Sequence, residues 1–281
     1  MFINCRGRLL DLNTPRIMGI LNLTPDSFYS GSRLQSIDSA LSLAESMLND
    51  GATCLDLGGY SSRPGAADIS EEVEKQRIIP VISAIVSRFP EAYLSVDTFR
   101  SGVAKEAVAA GAVMVNDISA GLLDPSMLPV VAELKVPYIL MHMRGNPLTM
   151  STLTTYQNLI QEIVFYFSQR IREARNSGIL DIIADPGFGF AKTQEQNFEL
   201  LSKLDALKVL EVPILVGISR KSMIWKTLGI DASAALNGTT ALHMVALQSG
   251  AQLLRVHDVK EAVECVKLWK ALQADSSTQS S

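Results

Sequence analysis

Short apolar runs alternate with amphipathic segments along this 281-residue chain, and this alternation constrains the fold more than any other feature. The runs cover residues 15–23, 52–57, 92–96, 112–115, 137–141, 180–184, the start of 212–224, and 252–256. Parallel strands joined by helices through right-handed crossovers form a sheet with its helices outside. Eight such units at this length are typical of a TIM barrel. We therefore predict an α/β protein with a single (β/α)8 domain.

An open, doubly wound sheet is the alternative arrangement. It is disfavoured because no Gly-x-Gly-x-x-Gly pattern follows a strand and no linker divides the chain. The predicted barrel spans residues 1–273. Residues 274–281 (ADSSTQSS) have a low-complexity polar composition that predicts a disordered tail.

Charge and cysteine content limit the expected partners and location. The formal net charge is −4 with both signs interspersed, so neither nucleic acid nor an anionic membrane is expected as a partner. No run is long enough to span a bilayer, and the first residues lack the apolar core of a signal peptide. The cysteines Cys5, Cys54 and Cys265 lie far apart, which favours a reducing compartment. We expect a cytoplasmic protein.

Nearly every predicted strand ends in a polar or charged residue. In a barrel, the carboxyl ends of all strands open onto one face, where the active sites of this fold lie. Each residue alone could be a helix cap or a buried core histidine. Their joint occurrence predicts one site, formed by Asn22, Ser61, Ser62, Arg63, Asp97, Asn116, His142, Asp185, Ser219, Arg220, Lys221, Arg255 and His257.

These residue types suit a planar ligand rich in N–H donors that also carries an anion. The carboxylates of Asp97 and Asp185 could each accept two parallel hydrogen bonds from an amino-pyrimidinone edge. Lys221 could donate to ring acceptors, and the guanidinium of Arg255 could stack on the ring. A polyanion, bridged by a metal ion, could be held by Asn22, Arg63, Arg255 and His257.

Residues 219–222 (SRKS) have two interpretations. On their own they predict a helix start, with Ser219 as N-cap and both cations in solvent. Together with the other strand ends, they predict that Lys221 binds a ligand, while Arg220 is explained equally well by solvent exposure or by an ion pair. A Schiff base at Lys221 or Lys192 stays open. Walker A, nucleophile-elbow and zinc-protease patterns are missing from the sequence.

Eight motifs, in order along the chain, carry a resemblance to a known family. They are MGILNLTPDSF at residues 18–28, GGYSSRPG at 58–65, SVDT at 95–98, VND at 115–117, MHMRGNP at 141–147, DPGFGF at 185–190, GISRKSM at 217–223 and RVHD at 255–258. Through all eight strand-to-helix loops, the chain resembles the dihydropteroate synthase family. Each motif is weak alone, whereas the ordered set is highly specific.

The resemblance implies a (β/α)8 transferase of bacterial folate biosynthesis that is usually a homodimer and a target of sulfonamides. Such an enzyme joins 4-aminobenzoate to 6-hydroxymethyl-7,8-dihydropterin diphosphate with Mg²⁺, forming 7,8-dihydropteroate and pyrophosphate. Substitution at the pterin methylene would be largely dissociative, so that electrostatics and positioning matter more than acid–base catalysis.

The resemblance also implies a role for each matching residue. The pterin would be bound by Asp97, Asn116, Met141, Asp185, Lys221 and Arg255. The diphosphate would be bound by Asn22, Ser62, Arg63, Arg255 and His257, with Asn22 also a metal ligand. The aminobenzoate pocket would be formed by Phe28, Arg63, Pro64, Phe190, Ser219 and Ser222. The implied catalytic set is Asn22, Arg63, Lys221, Arg255 and His257.

The chain departs from the usual family pattern in two loops. Ser30 stands where an acidic residue is common, so it is assigned no metal role; Tyr60 replaces a glutamate and Ser62 a threonine. Two rival interpretations remain. A pterin-binding barrel of the corrinoid methyltransferase type would not need the predicted anion site. A non-catalytic pterin-binding paralogue would not need Asn22, Arg63 and Lys221, although the departures at Ser30 and Tyr60 would fit it.

Overall fold

The computed structural model describes residues 1–23, 33–61 and 68–274, without the side chains of residues 33–36. Its strands are Phe2–Cys5 (β1), Arg8–Asp11 (β2), Arg16–Asn22 (β3), Cys54–Gly58 (β4), Tyr93–Asp97 (β5), Met114–Asp117 (β6), Tyr138–Met141 (β7), Ile182–Asp185 (β8), Leu215–Val216 (β9) and Leu253–Val256 (β10). Its helices are Arg33–Asn49 (α1), Glu71–Arg88 (α2), Ser101–Ala109 (α3), Met127–Leu134 (α4), Leu159–Asn176 (α5), Gln194–Ser202 (α6), Ser222–Leu228 (α7), Leu236–Gln248 (α8) and Val259–Ala274 (α9).

Strands β3 to β10 form one parallel sheet that closes into a barrel. Its order is β8-β7-β6-β5-β4-β3-β10-β9, so the first and last barrel strands in the chain pair directly. A parallel bridge between Ala184 and Ile214 joins the two ends of the sheet, and the Ala184 N–H donates to the Pro213 carbonyl at 2.9 Å. The predicted (β/α)8 barrel is confirmed, and each predicted apolar run contains or overlaps a strand.

Two apolar layers stabilise the barrel. Strand residues such as Leu57, Val96 and Leu140 pack outward against the helices. The side chains of Met18, Ile139 and others fill the inside of the barrel at the end away from the predicted site. Because both faces of each strand are buried, the strands appear in sequence as continuous apolar runs rather than alternating ones.

The hairpin formed by β1 and β2 closes this lower end of the barrel, and the sequence did not predict it. Its strands pair antiparallel, and Ile3, Cys5, Leu10 and Leu12 are buried against the interior layer. The outward-facing Leu9 is 65% exposed, whereas its neighbour Leu10 is 3% exposed. The hairpin therefore acts as an apolar plug.

Most helix bounds agree with the sequence, with small differences. The Ser70 side chain caps α2 by accepting the Val73 N–H at 3.3 Å, as predicted. The predicted helix over residues 194–208 instead ends at Ser202, followed by a 3₁₀ segment over Leu204–Leu210. The leucines of that segment are buried at every third position, which fits the 3₁₀ period.

At the carboxyl terminus, α9 continues through Ala274. The rest of the predicted tail, residues 275–281, lies outside the described residues. None of the helices in the described ranges combines the length and apolarity needed to cross a bilayer.

Candidate active site

The predicted site residues gather at the carboxyl ends of the barrel strands. Strand register places Asn22, Gly58, Asp97 and Asn116 side by side on four neighbouring strands. On the far side of the barrel, Met141 is in register with Asp185. Residues that are far apart in the sequence therefore line one polar pocket at the carboxyl ends of the strands.

Arg255, from the last barrel strand, is held between two carboxylates in this pocket. Its Nε donates to Asp56 at 2.6 Å and its second guanidinium nitrogen, Nη2, to Asp97 at 2.7 Å. Asp56 also accepts the Asn116 side-chain amide at 2.9 Å. One fully buried carboxylate oxygen of Asp56 therefore orients two of the predicted pterin residues.

Asp56 is the site residue that sequence analysis missed. It lies inside strand β4 and not at its end, so the pattern of polar residues at strand termini does not include it. A signal was present in the sequence, because a carboxylate within the apolar run ATCLDL is costly to bury unless it is paired.

Burial gives the two ligand-facing carboxylates unusual proton affinities. It raises the pKa of Asp97 to about 7, although the Arg255 guanidinium opposes the rise. Burial also raises the pKa of Asp185, against the opposing charge of Lys221 and a hydrogen bond from the Gly187 N–H. Both carboxylates would be stabilised by a ligand that donates N–H groups.

Lys221 faces the pocket rather than solvent. Its Nζ donates to the Phe188 carbonyl and lies 4.5 Å from the centre of the Phe190 ring. Burial lowers its pKa to about 8, and the nearby Asp185 carboxylate opposes the fall. Helix α7 begins at Ser222 with Lys221 in the N-cap position, so the interpretation of Ser219 as N-cap with solvated cations is wrong.

The loops after β9 and β10 are bound to each other. The Ser219 hydroxyl accepts the His257 backbone N–H at 3.1 Å and lies 3.1 Å from its Nδ1. Arg220 forms a two-pronged ion pair with Asp258, at 2.8 and 2.7 Å. Arg220 is therefore an ion-pair residue, which settles the question that the sequence left open.

His142 is buried at the end of β7, behind the pocket wall. Its Nδ1 lies 3.0 Å from the Nζ of Lys192, and its ring packs edge-on to Tyr166 with centroids 4.8 Å apart. The interpretation of His142 as a satisfied core histidine thus agrees with its surroundings.

Comparison with known proteins identifies the family. A family model described as pterin binding enzyme matches residues 18–257. Dihydropteroate synthase of Escherichia coli (strain K12) is 44% identical over 273 residues, covering 96% of each chain. The chain belongs to the dihydropteroate synthase family. The sequence-based prediction of a dihydropteroate synthase, a transferase on a TIM barrel, is confirmed.

Solved structures of this family superimpose closely on the chain. A Yersinia pestis dihydropteroate synthase in complex with a sulfonamide drug has a TM-score of 0.91 at 41% identity, covering 98% of this chain and 100% of that one. The Xanthomonas albilineans enzyme with 4-aminobenzoic acid also has a TM-score of 0.91 at 41% identity, covering 97% and 98%. These relatives are dihydropteroate synthases, which favours the transferase over a barrel of the corrinoid methyltransferase type.

The residues that the family resemblance singled out fall into two groups. Those brought together at the barrel mouth are Asn22, Asp97, Asn116, Met141, Asp185, Phe190, Ser219, Lys221, Ser222, Arg255 and His257. Those that lie outside the described residues are Phe28, Ser62, Arg63 and Pro64, together with the departure at Ser30. The structure thus describes the pterin side of the family site, and the predictions for these five residues stay predictions.

Tyr60, which replaces the family's glutamate, belongs to an aromatic cluster beside the pocket. Its ring meets Phe99 edge-on, with centroids 5.0 Å apart at 85°. The Arg100 guanidinium lies 5.4 Å from the Tyr60 ring and 5.0 Å from the Phe99 ring. Tyr60 therefore contributes packing and a cation–π contact at a position where the family commonly has a charge.

The described side chains at the barrel mouth could give Mg²⁺ only a small number of protein ligands. Among the described residues, no group of three His, Cys, Asp or Glu side chains could hold a metal. Asn22 offers one amide oxygen at the end of β3. Mg²⁺ commonly keeps few protein ligands and binds substrate phosphates and water instead, so a site of this kind suits an ion that arrives with a diphosphate.

Proposed function

We propose that this chain condenses 6-hydroxymethyl-7,8-dihydropterin diphosphate with 4-aminobenzoate to give 7,8-dihydropteroate and pyrophosphate. The observation that carries the proposal is the pocket in which Asp97, Asn116, Asp185, Lys221 and Arg255 converge at the barrel mouth of a dihydropteroate synthase family member. This combination of hydrogen-bond acceptors and cations complements a pterin edge.

The pterin would be recognised by charge-assisted hydrogen bonds. Asp97 and Asp185, when ionised, accept from the amino and ring N–H groups, while Asn116 can donate or accept. Lys221 donates to a ring acceptor in place of the Phe188 carbonyl. The buried side chain of Met141 provides an apolar surface for one face of the ring.

The reaction would proceed by departure of the diphosphate before the amine bonds fully. The C–O bond at the pterin methylene breaks, and its electron pair leaves with the diphosphate. The arylamine nitrogen then forms the C–N bond and loses a proton to solvent. The protein contributes by aligning the two substrates and by stabilising the leaving anion.

The leaving-group side would comprise Asn22, Arg255 and His257, with Ser62 and Arg63 proposed by resemblance alone. The Arg255 guanidinium already donates a hydrogen bond to Asp97. It therefore lies where it can interact with both the pterin and the anion. When bound, Mg²⁺ would neutralise part of the diphosphate charge, with Asn22 as its protein ligand. The arylamine side would comprise Phe190, Ser219 and Ser222, together with Phe28, Arg63 and Pro64 by resemblance.

Pyrophosphate release by the purified protein tests this proposal. The assay contains Mg²⁺, the pterin diphosphate and 4-aminobenzoate, and a parallel reaction omits 4-aminobenzoate. Release that depends on the arylamine is expected. Retained pterin binding without any turnover would instead indicate a non-catalytic pterin-binding protein.

The proposal includes a homodimer. Leu268 and Leu272 on α9 are 62% and 58% exposed, and their spacing places them on one face of the helix. A second copy packed on this face would remove them from water. Sedimentation of the protein is expected to give the mass of two chains, and Leu268→Glu is expected to shift it toward one.

A cytoplasmic location is also proposed. In the described part of the chain the thiols of Cys5, Cys54 and Cys265 are buried and unpaired, which favours a reducing compartment. Fractionation of the source cells, with detection of the protein in the soluble fraction, tests this location.

A further inference from the structure

The loop between β8 and α6, residues 186–193, is held by hydrogen bonds along most of its length. The Phe188 carbonyl accepts from Lys221, and the Ala191 carbonyl accepts from the Tyr156 hydroxyl at 2.9 Å. The Gly189 N–H donates to the Asn197 side chain at 2.7 Å. A loop with this many partners presents its side chains in one arrangement.

Lys192 makes the central contacts of this loop. Its side chain is buried, and its Nζ lies 3.0 Å from His142 Nδ1, 3.0 Å from the Gly187 carbonyl oxygen and 3.1 Å from the Phe190 carbonyl oxygen. Burial lowers the pKa of Lys192 well below its ordinary value, and its amine donates to the two carbonyl oxygens and shares a third hydrogen bond with the His142 ring. Lys192 therefore ties both ends of the glycine-rich segment to the wall behind it.

His142 is the third polar partner of Lys192. Burial lowers the pKa of His142 well below the ordinary value, and the charge of Lys192 lowers it further, so the ring is neutral and its Nδ1 can share one hydrogen bond with the Lys192 amine. Its backbone N–H donates to the Asp185 carbonyl at 2.9 Å, which fixes His142 to the end of β8. The attachment point is thus rigid.

The glycine at position 187 permits this close approach. Its φ is +70°, and a Cβ there would lie 2.1 Å from the His142 carbonyl oxygen. The segment can therefore press against β7 only with glycine at this position. Lys192 then holds the segment in place from the other side.

We propose that Lys192 is a positioning residue for the second substrate. By holding the Gly187 and Phe190 carbonyls, it fixes the Phe190 ring beside Lys221 and keeps the arylamine pocket in its binding shape. This inference rests on the proposed function, in which Phe190 lines the aminobenzoate side. It also assigns Lys192 a role other than Schiff-base formation, because its amine is engaged behind the loop.

The role predicts a larger effect on the arylamine than on the pterin. Phe190 is bonded to Lys192 directly. Of the pterin ligands, Asp97 and Asn116 lie on β5 and β6, whereas Asp185 accepts the Gly187 N–H at 2.8 Å and is influenced by the charge of Lys192. Loss of the Lys192 amine should therefore loosen the arylamine pocket most, while the pterin contacts on β5 and β6 persist.

Lys192→Met tests the proposal, since methionine keeps much of the apolar stem and removes the amine with its three hydrogen bonds. We expect the KM for 4-aminobenzoate to rise at least tenfold and the KM for the pterin diphosphate to rise by a smaller factor, of at most about threefold, because Asp185 also borders the segment. The matched control is Lys203→Met, at an exposed position just after α6 that pairs with Glu199 at 2.9 Å. That variant is expected to keep both constants.

Amide hydrogen exchange provides a readout that does not depend on turnover. In Lys192→Met, peptides covering residues 187–192 are expected to exchange at least tenfold faster, with no change in the control. Faster exchange in a protein whose wild type shows no turnover would retain the loop inference and reject the transferase. Equal rises in both KM values, or unchanged exchange, would overturn the positioning role.

A second variant, His142→Leu, tests the positioning role if Lys192→Met does not fold. It removes one partner of the Lys192 amine and leaves the lysine and its two carbonyl contacts. A selective rise of about threefold in the KM for 4-aminobenzoate is expected. Unchanged constants for both substrates in this variant would overturn the proposal.

Discussion

Among single residues, Arg255 sets the charge balance of the pocket. It bridges Asp56 and Asp97, so an otherwise repulsive pair of carboxylates is held together at the barrel mouth. Burial lowers the pKa of Lys221 and raises that of Asp97, which brings both to within about one unit of neutral pH. The protonation state of the site is therefore sensitive to pH in the physiological range.

This sensitivity predicts a bell-shaped pH dependence of kcat/KM for the pterin diphosphate. Activity should rise as the pH passes about 7, where Asp97 loses its proton and can accept two N–H groups. It should fall as the pH passes about 8, where Lys221 loses its charge. Lys221→Arg keeps the charge at all these pH values, so the alkaline fall should disappear. An unchanged alkaline limb in that variant would contradict the assignment.

Asp185→Asn is expected to weaken pterin binding by about 1–3 kcal/mol, because a charged acceptor becomes neutral. Calorimetry with the pterin diphosphate, without the arylamine, measures the change. Asp205→Asn serves as the control because Asp205 is exposed on the 3₁₀ segment after α6. Equal affinity of wild type and Asp185→Asn would remove this residue from the pterin site.

The sequence allowed most of this pocket to be predicted, residue by residue, where a polar side chain ends an apolar strand. Asp97, Asn116 and Asp185 were found in that way. Asp56 was not predicted, because it lies in the middle of a strand. Its role in the pocket depends on the hydrogen bond from Arg255, which lies on the last barrel strand. The partners of Lys192 were also beyond prediction, because two of them are backbone carbonyls whose direction depends on the folded loop.

Among the elements, the β1–β2 hairpin is the clearest addition to the predicted barrel. Its four-residue strands are too short for their alternation to stand out in sequence. The barrel strands were easier to find because burial on both faces makes them continuously apolar. Strand β9 is only two residues long, and Pro213 just before it lacks an N–H for the ladder.

Adjacent leucines of the hairpin provide a test of its role as a plug. Leu10→Ala should lower the free energy of unfolding by about 2–5 kcal/mol, because it opens a cavity in the interior layer. Leu9→Ala, on the solvent face of the same strand, should change it by less than about 0.5 kcal/mol. Urea denaturation measures both. Equal effects of the two substitutions would show that the hairpin does not seal the barrel.

For the molecule as a whole, both substrates meet at one end of the barrel, so an arylamine mimic should compete there. Sulfonamides are expected to raise the apparent KM for 4-aminobenzoate and to leave kcat unchanged at saturating arylamine. Initial rates over a grid of both concentrations test this expectation. Full activity at millimolar sulfonamide, or inhibition that excess 4-aminobenzoate does not relieve, would contradict it.

The pairing of Arg255 with Asp56 has a consequence for how the site comes into being during synthesis. The two residues are 199 positions apart in the chain, and Asp97 is 158 positions from the same arginine. During synthesis, a chain that still lacks β10 leaves the carboxylates of Asp56 and Asp97 without their counter-ion, so its pocket is incomplete. Ligand capture therefore reports that the last barrel strand has packed against the strands that carry Asp56 and Asp97, and a bound pterin would stabilise the closed barrel over every shorter intermediate.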